Sequence, residues 1–178
     1  MRPSGLSLLL TSCIAALPTA SHAQSSNAPA RPAACARPEH RQFDFWVGEW
    51  DVKGRNGNPA GTNRIRVVHG GCALQEEWSG SGGFTGTSIN AFDTSTGRWH
   101  QTWIGSDGLL LQLDGGLKDG AMELTGKTAG ANGSTTMHRV RWTPLGGQSG
   151  QVRQLWESST DGGRTWSVVF DGTYTRKT

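Results

Sequence analysis

Between Gly48 and Arg176 the chain runs in short stretches of alternating apolar and polar side chains, each closed by a glycine-containing break. A period of two is the pattern of a strand with one buried face. Breaks at about every 8–12 residues leave no room for a long helix. The spacing predicts ten strands, near 48–54, 62–69, 73–79, 84–92, 98–104, 109–115, 120–126, 135–143, 151–158 and 165–176. The breaks carry turn residues: Gly70-Gly71, Gly80 to Gly83, Asp93 to Gly97, Asp107-Gly108, Asp119-Gly120, Asn132-Gly133, Gly146-Gly147 and Asp161-Gly162-Gly163. Each break fits a hairpin, so strands adjacent in sequence are expected to pair. A sheet of this size loses its two vulnerable edges only by closing. The expected fold is therefore all-β, a closed up-and-down antiparallel barrel of about ten strands. A single helical turn is expected before it, over Glu39 to Trp46 and following Pro38.

The alternation also assigns faces. In 165–176, Trp166, Val168, Phe170 and Tyr174 share one face with Gly172, opposite Ser167, Asp171, Thr173 and Thr175. In 98–104, Trp99, Gln101 and Trp103 oppose His100, Thr102 and Ile104. In 73–79, Leu74, Glu76 and Trp78 oppose Ala73, Gln75 and Glu77, and in 151–158, Val152, Gln154 and Trp156 oppose Arg153, Leu155 and Glu157. Three of these four Trp-bearing faces also carry Gln or Glu. A dry core rejects such groups, since each buried polar group needs a partner or costs roughly 1–3 kcal/mol. Tryptophan mixed with a few polar side chains is the lining of a ligand cavity. The opposite assignment, with the tryptophans outward, would make the protein an interaction or glycan-binding module.

Composition sharpens this picture. Eight Trp stand against five Phe and one Tyr, and Trp suits sites where a broad apolar surface must also present an N–H. The net charge of +3 includes no basic run longer than two residues, which excludes a nucleic-acid footprint. Residues 1–23 read as a secretory signal: Arg2, an apolar stretch from Gly5 to Leu17, then Ser21-His22-Ala23 as a cleavage site. The stretch is too short to span a bilayer, so no transmembrane segment is expected. Leu10-Thr11-Ser12-Cys13 also offers a lipid-anchoring box at Cys13, although the apolar pattern runs on past it. Residues 24–38 have the Ala, Pro, Ser and Asn composition of a flexible arm, and 39–178 form the barrel domain. Export to the periplasm or beyond leaves Cys35 and Cys72, which an oxidising compartment would join in one disulfide.

The run Phe43-Asp44-Phe45-Trp46-Val47-Gly48-Glu49-Trp50-Asp51-Val52 places Gly-x-Trp at the start of the first strand. It resembles the opening of lipocalin-like (calycin) barrels. The resemblance implies that Gly48 permits a close approach of the preceding turn and that Trp50 plugs one barrel end beneath Arg176, a basic side chain of the last strand. With Gly71 to Trp78, Gly97 to Trp103 and the tail from Val152 to Lys177, the chain is also similar to a family of uncharacterised exported bacterial proteins, which implies a barrel and no established activity. Nitrobindin-type barrels, which are related, bind haem through a histidine near the C-terminal end. Here that place holds Thr173, Tyr174 and Thr175, and the last histidine is His138. Haem is not supported on that pattern, although Tyr174 and His138 are iron-ligating residue types, and no cofactor is expected.

Ser159 to Trp166 matches an Asp-box. A propeller would repeat the motif in several blades, so a single copy reads as a hairpin in which Asp161 caps the turn and Trp166 packs beneath it. No His-x-His, His-Glu-x-x-His or Gly-x-Ser-x-Gly motif occurs, and no metal site is expected. The expected function is binding of a small hydrophobic molecule by a monomer or homodimer, with Trp78, Trp99, Gln101, Trp103, Trp142, Gln154 and Trp156 as the cavity wall. The rival is an isomerase, lyase or hydrolase using Glu76 or His100 as acid/base inside the barrel, because a buried Glu or His has its ionisation perturbed. The plainer role for Glu76 is an internal ion pair with Arg64 or Arg66. For His100 and His138 it is a hydrogen-bonded place in the wall.

Overall fold

Each alternating run folds as a strand. The computed structural model describes residues 34–146 and 150–177, all within one compact unit; the expected signal segment, Cys13 and most of the expected arm lie outside them. Ten strands follow in order: β1 (Gly48–Gly54), β2 (Pro59–Val68), β3 (Ala73–Gly80), β4 (Thr85–Asp93), β5 (Arg98–Gly105), β6 (Leu110–Lys118), β7 (Ala121–Ala129), β8 (Thr135–Leu145), β9 (Gln151–Ser159) and β10 (Ser167–Arg176). Their ends fall within three residues of the expected ones. Each strand pairs antiparallel with its sequence neighbours, and β10 returns to β1, with Val52 opposite Tyr174 and Trp50 opposite Arg176, to close the barrel. The single helical turn expected over Glu39 to Trp46 is two short 3-10 turns, Pro38–Arg41 and Asp44–Trp46. Among the described residues, no helix is long and apolar enough to cross a membrane.

The antiparallel order sends alternate hairpins to opposite ends. At one end the segment before β1 folds across the barrel as a plug. Phe43, Trp46, Trp50, Trp99 and Trp142 are each at most 1% exposed there, with Phe43 stacked 4.9 Å from Trp46 and edge-on to Trp99 and Trp142 at 5.6 and 5.1 Å. Burying such a side chain fully contributes roughly 2–3 kcal/mol. Trp50 Nε1 donates to Trp46 O at 2.9 Å, satisfying the indole inside the apolar plug. Arg176 covers Trp50 with its guanidinium 4.4 Å from the ring and donates to Val47 O at 2.9 Å. Gly48, at φ +147°, leaves the space the guanidinium fills. The disulfide Cys35–Cys72 ties the incoming arm to the β2–β3 connection at this same end.

The outer surface carries ion pairs that link neighbouring strands: Arg64–Glu49, Arg66–Glu77, Arg141–Glu123, Arg139–Glu157 and Arg153–Asp171. They show which face of these strands meets solvent, and the outward Glu157 of β9 corrects the expected sidedness of β10. Val169 is an extra residue opposite the step from Glu157 to Trp156. This bulge shifts the alternation: Val168 sits opposite Glu157 on the outside, 52% exposed, while Phe170 pairs with Trp156. Trp166 is likewise outside, beneath the Arg139 guanidinium at 4.3 Å. Of the four side chains expected on one inward face, only Phe170 and Tyr174 share it.

Candidate functional site

The inward side chains do not fill the barrel. Above the plug lies a cavity of about 320 Å³, lined among others by Glu76, Trp78, Gln101, Trp103, Leu111, Val140, Trp142, Gln154, Trp156, Phe170 and Tyr174. It reaches towards the end away from the plug, where Ala60, Gly80, Gly82, Phe84 and Val169 complete the lining. That volume is at the lower end of small-molecule sites, about 300–1,000 Å³.

Glycines make the room. A Cβ on Gly86 of β4 would overlap the indole of Trp103, and one on Gly172 would come within 2.6 Å of the Phe170 ring. Gly61 of β2 lies beside Trp78 in the same way, its Cβ position 3.0 Å from that indole. Each ring therefore lies against a wall position without a side chain, and the space it vacates becomes cavity.

The two halves of the lining differ in chemistry. Leu111 from β6, Val140 and Trp142 from β8 are apolar. Across from them a chain of hydrogen bonds joins side chains from six strands, β9, β10, β2, β3, β4 and β5. Gln154 Oε1 accepts from the Tyr174 hydroxyl, which accepts from Asn63 Nδ2 at 3.3 Å. Asn63 Nδ2 also donates to Glu76 Oε1 at 2.7 Å, and Ser88 Oγ donates to Glu76 Oε2 at 2.6 Å. Asn90 Nδ2 donates to Ser88 Oγ at 2.8 Å, and Gln101 Nε2 to Asn90 Oδ1 at 2.8 Å.

Glu76 is the centre of this chain and is 4% exposed. Burial raises its carboxyl pKa, the hydrogen bonds from Ser88 and Asn63 oppose the rise, and burial wins: the group is pushed up to about 7. The internal ion pair with Arg64 or Arg66 does not form, because both arginines are on the outer face of β2 with Glu49 and Glu77 as partners. Tyr174 is driven well above the usual phenol range, by burial first and then by the nearby Glu76 carboxyl, so it serves as a neutral hydroxyl. The indole N–H groups of Trp103 and Trp142 are buried and have no hydrogen-bond partner among the described residues.

The cavity brings together Glu76, Trp78, Gln101, Trp103, Trp142, Gln154 and Trp156 from the sequence-derived set. Trp99 does not join them: it is packed into the plug, and its Nε1 donates to Gln42 Oε1 at 3.2 Å. His100 is excluded as an acid/base inside the barrel. Alternation turns its ring to the outer face, where it meets Asp114 and Thr102, both at 2.9 Å. His138 is buried in the wall, its Nδ1 accepting from Trp156 Nε1 at 3.2 Å and its Nε2 2.8 Å from Thr128 Oγ1; burial lowers its pKa. Among the described residues, no group of three His, Cys, Asp or Glu side chains is placed to hold a metal ion. Asp161 caps its hairpin as expected, accepting from the N–H groups of Arg164 and Thr165 at 2.9 and 3.0 Å.

Asn63, Ser88, Asn90 and Tyr174 are the cluster members the sequence reading did not place in the site. The available signal was Asn63 two residues before Ile65 and Ser88 two before Asn90, at inward-facing intervals of strands with little other apolar content.

These features define a closed ten-stranded antiparallel β-barrel, plugged at one end, with an internal cavity of aromatic walls and a buried carboxyl group. Within that class, the chain belongs to the family described as Protein of unknown function (DUF1579), whose model matches residues 36–176. No curated protein matches the chain.

Proposed function

We propose that the protein is an exported binding barrel that holds a small hydrophobic or aromatic molecule. Trp78, Trp103, Trp142 and Trp156 form the walls, and Glu76, Gln101 and Gln154 orient the occupant. The observation that carries this reading is the cavity itself: four tryptophans around a space of about 320 Å³, with polar groups gathered on one side. The Gly48, Trp50 and Arg176 arrangement supports a calycin-like barrel, and the Cys35–Cys72 disulfide supports an oxidising compartment outside the cytoplasm. Because the walls are tryptophan, intrinsic fluorescence reports on occupancy. Titration with a panel of aromatic and lipid-like compounds is expected to quench or shift the emission for at least one of them. Silence across the panel, in folded protein, would contradict the reading.

A buried carboxyl with a pKa near neutrality, in contact with a ligand cavity, favours one rival: an acid/base enzyme in which Glu76 moves a proton. Glu76→Gln separates the two readings. Retained affinity for a compound with abolished turnover of it supports the enzyme.

A further inference from the structure

We propose that the cavity selects an organic cation, a small molecule with a flat apolar body and a protonated amine, the amine set against Glu76 and the body held between the aromatic walls. This rests on the reading of the cavity as a ligand site, and it names the chemical class of the occupant.

Charge is the first ground. Among the described residues that line the cavity there is no Lys, Arg or His, and the one acidic side chain is Glu76. A fatty acid or other carboxylate entering there would meet a carboxyl group and no cation. The groups that face Glu76 are all neutral: Asn63 from β2, Ser88 from β4 and Tyr174 from β10, joined onward to Gln101 of β5 and Gln154 of β9. The two arginines nearest in the sheet, Arg64 and Arg66, are engaged outside.

The second ground is the geometry of the carboxyl group. Each of its oxygens accepts one hydrogen bond, at 2.7 and 2.6 Å, and a carboxylate oxygen has capacity for a second. A charged group buried without a counter-ion is unfavourable, and an ammonium group in the cavity supplies one. The third ground is the wall. The indoles of Trp78, Trp103 and Trp156 and the ring of Phe170 surround the same space, and aromatic faces attract cations, most strongly where water is excluded. A neutral apolar ligand would use the walls and leave the carboxyl unmatched; a cation uses both.

The pH dependence follows. The Glu76 carboxyl, pushed up to about 7, is mostly ionised at pH 8 and mostly protonated at pH 6. An aliphatic amine stays protonated at both. Binding that requires the ionised form should therefore weaken about tenfold from pH 8 to pH 6.

The test is calorimetric titration of the disulfide-intact protein with matched sets of compounds. Phenyl, naphthyl and indolyl bodies each carry an ethylamine, an ethanol or an acetate arm. In at least one set the amine is expected to bind at least tenfold more tightly than its alcohol at pH 8. That preference should fall about tenfold at pH 6 and disappear in Glu76→Gln. Alcohols or carboxylates that bind as tightly as the amines in every set would overturn the cation assignment and leave the ligand cavity standing. So would an amine preference that persists unchanged in Glu76→Gln. No binding by any compound would overturn both. Should Glu76→Gln fail to fold, the pH comparison on the parent protein decides: an amine preference that is equal at pH 6 and pH 8 contradicts the proposal.

Discussion

At the scale of the residue, Glu76 carries most of the chemistry. Its carboxyl is raised from its ordinary value of 4.5 to about 7 in the folded barrel, so the folded state holds its proton more tightly than the unfolded chain does. Stability is therefore undiminished below about pH 4.5 and is lost as pH rises through the interval from 4.5 to 7. The cost at pH 8 is on the order of 3 kcal/mol. Glu76→Gln keeps an acceptor for Asn63 and removes the charge. In urea denaturation the variant should gain on the parent by about that amount between pH 4 and pH 8; a constant difference would show that the carboxyl is not desolvated. The inward position of Glu76 was legible because it shares a face, at intervals of two residues, with Leu74 and Trp78. Its partners were not, since Asn63 and Ser88 come from two other strands, and Tyr174, which Asn63 also bonds, from a third, and the local pattern leaves their register open. His100, an acid or base by residue type, lies on the face opposite Trp99 and Trp103, and the fold follows the alternation.

At the scale of the element, the strands hold two devices. The first is the plug. Alanine at Gly48 would meet the Arg176 guanidinium and adopt a backbone that side chains disfavour, φ +147°. Gly48→Ala should destabilise by about 1–3 kcal/mol, read as a lower urea midpoint. The second is the pairing of inward glycines with aromatic rings. Gly86 has no positive φ, so the effect of Gly86→Ala is steric: the methyl overlaps the Trp103 ring and should drive it into the cavity. Any compound that quenches the parent should bind this variant at least tenfold more weakly, in a barrel whose far-ultraviolet circular dichroism is unchanged. Unchanged affinity would place the ligand elsewhere. Strand number and order were readable because a period of two and glycine-rich turns are local signals. The bulge at Val169 was not: an extra residue is visible only against the partner strand, and without it Trp166 and Val168 fall on the wrong face. Trp99 was misplaced along the barrel axis. Alternation says which way a side chain points and says nothing about whether plug or cavity lies at that height.

At the scale of the whole molecule, the plug and the disulfide lie at one end of the closed barrel, and the cavity reaches towards the other. The bond between Cys35 and Cys72 closes a separation of 37 residues, which the chain-entropy model values at about 3–4 kcal/mol. Replacing both cysteines with serine should lower stability by up to that amount and leave ligand affinity intact, because the bond lies at the plugged end; denaturation and fluorescence titration together check this. The central claim, that the cavity exists to hold a small molecule, is tested most directly by native mass spectrometry of protein purified from its source. A mass above that of the disulfide-bonded chain, lost on denaturation and lost in Gly86→Ala, is the expected result. A bare mass in folded protein with its disulfide intact would contradict it.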